Sequence, residues 1–190
     1  MFIEGIILGL IIGIIRNGRI SNLFDLNFSG WYLILLGFFI QYTPIILNIF
    51  KINFLSYKYF LITGNLLILI VLLINYKISG SLIIMSGGIL NLLGYGLNNF
   101  KMPIIKNAAS EKLISGIESG KIVTFKLIDN LNTSTYFLGK IIKLPDFYPL
   151  LDFLSIGDII MTIGVVFLVS NEMKKVYFQR KSSMLRFPYN

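Results

Sequence analysis

Asp158 is the residue in this chain best placed to do chemistry. It sits in the opening turn of an apolar run, Phe153-Leu154-Ser155-Ile156-Gly157-Asp158. An ionisable group at membrane depth is costly, so it is a functional suspect by default. Ser155, Asp158 and Thr162 follow i, i+3, i+7 spacing and form one polar stripe on a helix. A second polar group closes the preceding apolar run at Asn98-Asn99-Phe100-Lys101-Met102-Pro103. Asp158, Asn98, Asn99 and Lys101 are therefore the candidates to line an outward-facing pocket for a headgroup, an ion or a partner segment. The plainer reading makes Asp158 a buried carboxylate that caps a helix start or bonds Asn98, Asn99 or Lys101 across a bundle. Glu4, close to the N-terminus, reads as an end-of-helix carboxylate in the headgroup region.

The residue types that are missing narrow the options. Without Cys there is no disulfide, thiolate nucleophile or iron–sulfur site, and without His there is no Ser-His-Asp triad or ordinary zinc site. No cofactor and no metal are expected. Any catalysis would rest on carboxylates, Lys, Tyr or hydroxyls, with Asp158 first among them.

These residues must be positioned by membrane elements. Hydrophobic residues make up 55% of the 190 and charged ones 14%, against about 45–50% and about 25% in ordinary domains. Five apolar runs approach the length of about 20 residues that a bilayer crossing needs, at 2–15, 31–50, 59–75, 80–97 and 154–170. No basic residue precedes the first run and Arg16-Asn17-Gly18-Arg19 follows it, so it reads as a retained helix rather than a signal peptide. Gly5, Gly9 and Gly13 give that helix a smooth stripe for close packing. Trp31 and Tyr32 suit an interface, Pro44 predicts a kink, and Gln41 and Asn65 are polar residues needing partners in hydrocarbon. The fourth run is small and polar, with Gly87, Asn91 and Tyr95 on one face, and should be central in the bundle.

Residues 98–153 are too long for a structureless turn and too apolar for disorder. Asn107–Ser119 has helical spacing, Lys121–Ile128 is open between strand and helix, and Asn132–Thr135 looks like a cap before a helix over Tyr136–Ile142. The basic, aromatic stretch 171–190 suits anionic lipid headgroups; the net charge of +8 is spread between apolar runs, so nucleic acid is not the expected partner. A protein partner stays open. Arg16, Arg19 and the tail fall on one side of a five-span chain, which puts the N-terminus outside and the C-terminus in the cytoplasm. The seven lysines of the 98–158 region run against that orientation, although long loops obey the rule poorly. Alanine occurs only at Ala108 and Ala109, and Ile, Asn, Lys, Phe and Tyr are abundant, which points to an AT-rich bacterial genome.

Three stretches carry a family resemblance: Gly9 and Gly13 leading into Ile14-Ile15-Arg16-Asn17-Gly18-Arg19-Ile20-Ser21-Asn22-Leu23, then Asn98–Pro103, then Phe153–Asp158. In this order they resemble a bacterial family of small integral membrane proteins known as domain of unknown function 5317. The resemblance implies fold and location, and no activity. Where that family often shows Leu-Gly-Asp in the cap, this chain has Leu138-Gly139-Lys140. Phe153–Gly164 is also similar to the last motif of lipoprotein signal peptidase, in which an Asp opens the final helix and a Gly follows six residues on. That enzyme's two aspartates activate water, and Asp158 would match one of them. The second would lie in the cap, where the Asn-x-x-Asp-Arg pattern is absent and Lys140 stands near the expected place; Asp129, Asp146, Asp152 and Glu4 are the other acids.

The expected fold is thus all-α and integral to a bacterial cell membrane. It is a single membrane domain over 1–190, a bundle of about five transmembrane helices with a long, partly helical extracytoplasmic cap at 98–153. The expected role is a binding or accessory module with an outward-facing polar pocket. The alternatives are an aspartyl-type intramembrane hydrolase and a small-solute or ion transporter, although beyond Thr162 the last span offers no continuing polar face.

Overall fold

Glycine decides which helices touch. The computed structural model describes residues 2–49, 57–106, 109–120, 122, 124–128, 136–144 and 153–175. Within them run α1 (Phe2–Ile15), α2 (Trp31–Ile49), α3 (Tyr57–Ile74) and α4 (Ser81–Leu97). A cap follows, built of β1 (Met102–Ile105), α5 (Glu111–Glu118), β2 (Phe125–Ile128), β3 (Lys140–Lys143) and β4 (Phe153–Ser155), and the chain returns as α6 (Ile156–Lys174). Gly5, Gly9 and Gly13 of α1 are buried against Val165, Val169 and Met173 of α6, so the two helices run parallel. A methyl group at Gly9 would stand 2.7 Å from the Val169 Cβ. In α4, Gly87 packs on the Gly157 carbonyl and Ile84 meets Gly164, which makes α4 antiparallel to α6. Gly37 of α2 and Gly64 of α3 close a third seam.

The apolar helices therefore follow one another in space as an arc, α1–α6–α4–α3–α2. The two ends of the arc meet at Phe2 and Phe38, whose rings stand edge to face with centroids 5.7 Å apart. Leu72, Ile84, Val165, Val169 and Met173 form the buried core of the bundle. Side chains fasten the loops on the side away from the cap. The Asn75 carboxamide accepts from Ser29 N–H at 2.9 Å and donates to the Ser29 carbonyl at 2.7 Å. Asn22 donates to the carbonyls of Met173 and Lys175, which the end of α6 leaves without helical partners. Tyr57–Ile74 and Ile156–Lys174 are long and apolar enough to cross a membrane; Phe2–Ile15 and Ser81–Leu97 are shorter apolar helices.

The cap corrects the all-α expectation, because it contains a four-stranded mixed sheet in the order β2-β1-β3-β4. β1 is parallel to β2 and to β3, and β3 is antiparallel to β4. Parallel pairing joins segments distant in sequence, so no local periodicity announces it. Pro103 lacks an N–H, and the β1–β3 pairing beside it is confined to Ile104↔Lys140. Ile105, expected on a surface helix, belongs to β1; the helix starts at Glu111, with Ser110 as its N-cap accepting from Leu113 N–H. Of the expected helix over 136–142 only a turn of 3-10 helix at Tyr136–Leu138 forms, because Gly139 lies against Pro103 and Lys140 pairs with Ser155. The fifth apolar helix begins at Ile156, and Phe153–Ser155 is strand. The Asn132–Thr135 cap and the tail beyond Lys175 lie outside the described residues.

Candidate functional site

Ser155 and Asp158 are fixed by a capping box. Asp158 N–H donates to the Ser155 hydroxyl at 2.9 Å, and Ser155 N–H donates to Asp158 Oδ2 at 3.1 Å. This reciprocal pair satisfies two of the orphan donors at the start of α6 and points the carboxylate back over its own helix end. From α4, Asn91 Nδ2 donates to Asp158 Oδ1 at 2.8 Å, and its Oδ1 accepts from the Ser155 hydroxyl at 2.7 Å. Asn91 reaches so far in because Gly157 leaves room: a methyl group there would stand 2.3 Å from Asn91 Oδ1.

The cap supplies the cation. Antiparallel pairing sets Lys140 opposite Ser155, and its Nζ lies 3.5 Å from Asp158 Oδ2 and 6.0 Å from the Phe125 ring centre. Both charged side chains are nearly buried, at 15% and 12% exposure, so solvent screens the pair far less than a surface bridge. Thr162 completes the stripe by donating to the Asp158 carbonyl at 2.8 Å.

Asp158 and Asn91 form one wall of a cavity of about 600 Å³ enclosed by the arc of helices. Its cap end also presents Gln41, Tyr57, Asn65 and Tyr95, and the remainder is lined by apolar side chains including Ile6, Ile34, Leu69 and Val165. That volume falls within the range of about 300–1,000 Å³ usual for small-molecule sites.

Of the four pocket candidates Asn98, Asn99, Lys101 and Asp158, Asp158 alone is among the residues lining this cavity, which also takes in Gln41, Asn65, Asn91 and Tyr95. Asn98 is buried, with Nδ2 donating to the Gly94 carbonyl at 2.8 Å. Asn99 and Lys101 are exposed, and Asn99 and Phe100 adopt left-handed backbone where α4 turns into β1. The cross-bundle partners of Asp158 are thus Asn91 and Lys140 rather than Asn98, Asn99 or Lys101. Glu4 lies in the first turn of α1. Asp129, Asp146 and Asp152 lie outside the described residues. The signal for Asn91 was its spacing with Gly87 and Tyr95. Lys140 stood out only as a basic residue where an acid was expected, and its pairing depends on sheet register.

The fold and site together define a mostly helical, strongly apolar protein whose small sheet locks onto a buried Asp–Asn–Ser–Lys cluster. The chain belongs to a family of unknown function, DUF5317, which it matches over residues 25–170. The matched region contains α2, α3, α4, the cap and most of α6. No curated protein and no solved structure matches the chain.

Proposed function

We propose that this chain is a five-span protein of a bacterial cell membrane that acts as a binding or accessory module. In this reading α1, α2, α3, α4 and α6 span the bilayer, the N-terminus and the cap lie outside, and the basic tail meets anionic headgroups at the cytoplasmic face. The observation that carries the reading is the cavity: all five apolar helices contribute to it, and its cap end is polar. Large apolar side chains exposed on the outward faces, among them Ile7, Ile11, Leu35, Phe39, Leu82 and Phe167, support burial in lipid, since soluble monomers rarely expose so much. Asn98, Asn99 and Lys101 then form the hinge from which the cap leaves α4, and Asp158 forms the pocket wall.

Binding is favoured over hydrolysis by the state of Asp158. Asn91, Ser155 N–H and Lys140 already occupy both carboxylate oxygens, and an aspartyl enzyme needs a second carboxylate where Lys140 stands. The test is native mass spectrometry of the chain extracted from membranes in mild detergent. A co-purifying small molecule is expected, and Gly88→Phe should remove it. Gly88 lines the cavity and has only Leu69 Cδ2 near its missing side chain, at 3.2 Å, so the ring can enter the cavity without meeting backbone. A chain that carries nothing, alike with and without the substitution, ends the binding reading.

A further inference from the structure

The polar end of the cavity holds more hydrogen-bonding groups than the protein satisfies. Gln41 from α2, Tyr57 from α3 and Tyr95 from α4 have no hydrogen-bond partner among the described residues, though all three face the cavity. Asn65 donates to the Leu61 carbonyl of its own helix at 2.8 Å, which leaves its oxygen for the cavity. Gly64, the neighbour of Asn65 on α3, packs against the Gln41 side chain, so the two carboxamides stand at one depth of the bundle. These half-buried groups open onto the cavity, and a polar group without a partner is costly where no bulk water can replace one. Something with hydrogen-bonding atoms belongs there.

The charges say what kind of group it is. Among the described residues no Lys or Arg lines the cavity, so none of them is placed to neutralise a phosphate there. Asp158, the one carboxylate among the described lining residues, is neutralised by Lys140 and already bonded by Asn91 and Ser155, so it offers little to an ammonium group. Carboxamides and phenols, which both donate and accept, suit a hydroxyl head that does the same. The rest of the cavity is apolar down to Trp31, Leu168 and Val169, at the end of the bundle away from the cap. The arc closes where Phe2 of α1 meets Phe38 of α2 edge to face, and both rings line the cavity.

Resting on the binding reading above, we infer that the cavity takes an uncharged lipid alcohol, its hydroxyl-bearing head among Gln41, Tyr57, Asn65 and Tyr95 and its chain along the apolar helices. An acylglycerol and an isoprenoid alcohol share this chemistry.

Trp31, the one tryptophan, lines the far end of the cavity and makes the test direct. Full-length protein in mild detergent is titrated with a monoacylglycerol brominated near its chain end, and Trp31 quenching is followed. Parallel titrations use a brominated phosphatidylglycerol and a brominated alkyltrimethylammonium, and unlabelled polyprenol serves as competitor. Saturable quenching by the neutral lipid is expected, weakened about tenfold or more in Gln41→Leu/Asn65→Leu, because that variant removes hydrogen bonds only a polar head can use. Thermal unfolding confirms that the double variant is folded; Gln41→Glu/Asn65→Asp, which keeps polarity but adds charge, provides a second variant and should also lose the neutral lipid. Displacement by polyprenol assigns the isoprenoid source, and failure to displace assigns the acylglycerol. Equal or tighter binding of either charged lipid, or unchanged affinity in folded Gln41→Leu/Asn65→Leu, overturns the ligand class and leaves the binding module standing. If no amphiphile saturates and Gly88→Phe changes nothing, both readings fall together.

Discussion

Asp158 serves local and global structure with the same two oxygens. One closes the capping box on Ser155 and meets Lys140, while the other accepts from Asn91, so α6, α4 and the cap meet at one carboxylate. Removing the cation strands a mostly buried anion. Lys140→Met should therefore destabilise the protein by about 1–3 kcal/mol, the usual cost of leaving a buried polar partner unsatisfied. In an Asp158→Asn background the same change should cost much less, since no charge is left to strand. A double-mutant cycle from thermal unfolding in detergent measures the coupling; strictly additive effects would mean that the 3.5 Å approach carries no energy. Ser155→Ala removes both the cap and the bond to Asn91, and a loss of about 0.5–2 kcal/mol is expected from the cap alone. The same unfolding measurement checks it, and a variant as stable as the parent would deny the capping box any energetic role.

At the scale of elements, close approach of backbones replaces large side chains as the means of specifying neighbours. Gly87 shows the constraint, because a methyl group there would lie 2.5 Å from the Gly157 carbonyl oxygen, which is backbone and cannot rotate away. Gly87→Ala should force α4 from α6 at a cost of about 1–3 kcal/mol, the usual range for overpacking. Gly96 lies on the same helix with nothing within 4 Å of its missing side chain. Gly96→Ala should thus be neutral or stabilising by up to about 1 kcal/mol, since only the helix propensity of alanine is added. Unfolding midpoints of the two variants in one detergent decide the matter; equal shifts would show that the close approach of Gly87 to Gly157 carries no energy. This packing was partly legible beforehand. The α1 stripe and the polar face of α4 follow from residues spaced four apart along one helix. What lay across from each stripe did not follow, since Val165, Val169 and Met173 are ordinary apolar residues of α6. The sheet was illegible for a related reason. Its strands are only three or four residues long, and β1 gains its partners from segments more than twenty residues further on. The site shared this fate: Asp158 was visible as a charge in an apolar run, but Lys140 reaches it only through the register of β3 against β4.

At the scale of the whole molecule, the arc of helices carries a sidedness that can be tested independently of any ligand. α1 and α6 run parallel and α4 runs antiparallel to both, the directions that the proposed five crossings would need. The turn between α3 and α4, the loop holding Arg16 and Arg19, and the end of α6 then share one face, where Arg16 donates to Asn171 at 2.9 Å. The cap occupies the opposite face with its lysines, some committed to internal pairs: Lys140 to Asp158 and Lys106 to Glu118 at 4.0 Å. Paired lysines present less free positive charge to hold a segment in the cytoplasm. Because the chain has no cysteine, single substitutions give an unambiguous readout. Ser119→Cys, on the exposed end of α5, should react in intact cells with a membrane-impermeant maleimide. Lys77→Cys, exposed in the α3–α4 turn, should react only after the cells are permeabilised. The reverse pattern would invert the protein and place the lysine-rich cap in the cytoplasm, with the polar mouth of the cavity facing inward. Labelling of both in intact cells would remove the intervening helix α4 from the membrane and with it the five-span arrangement.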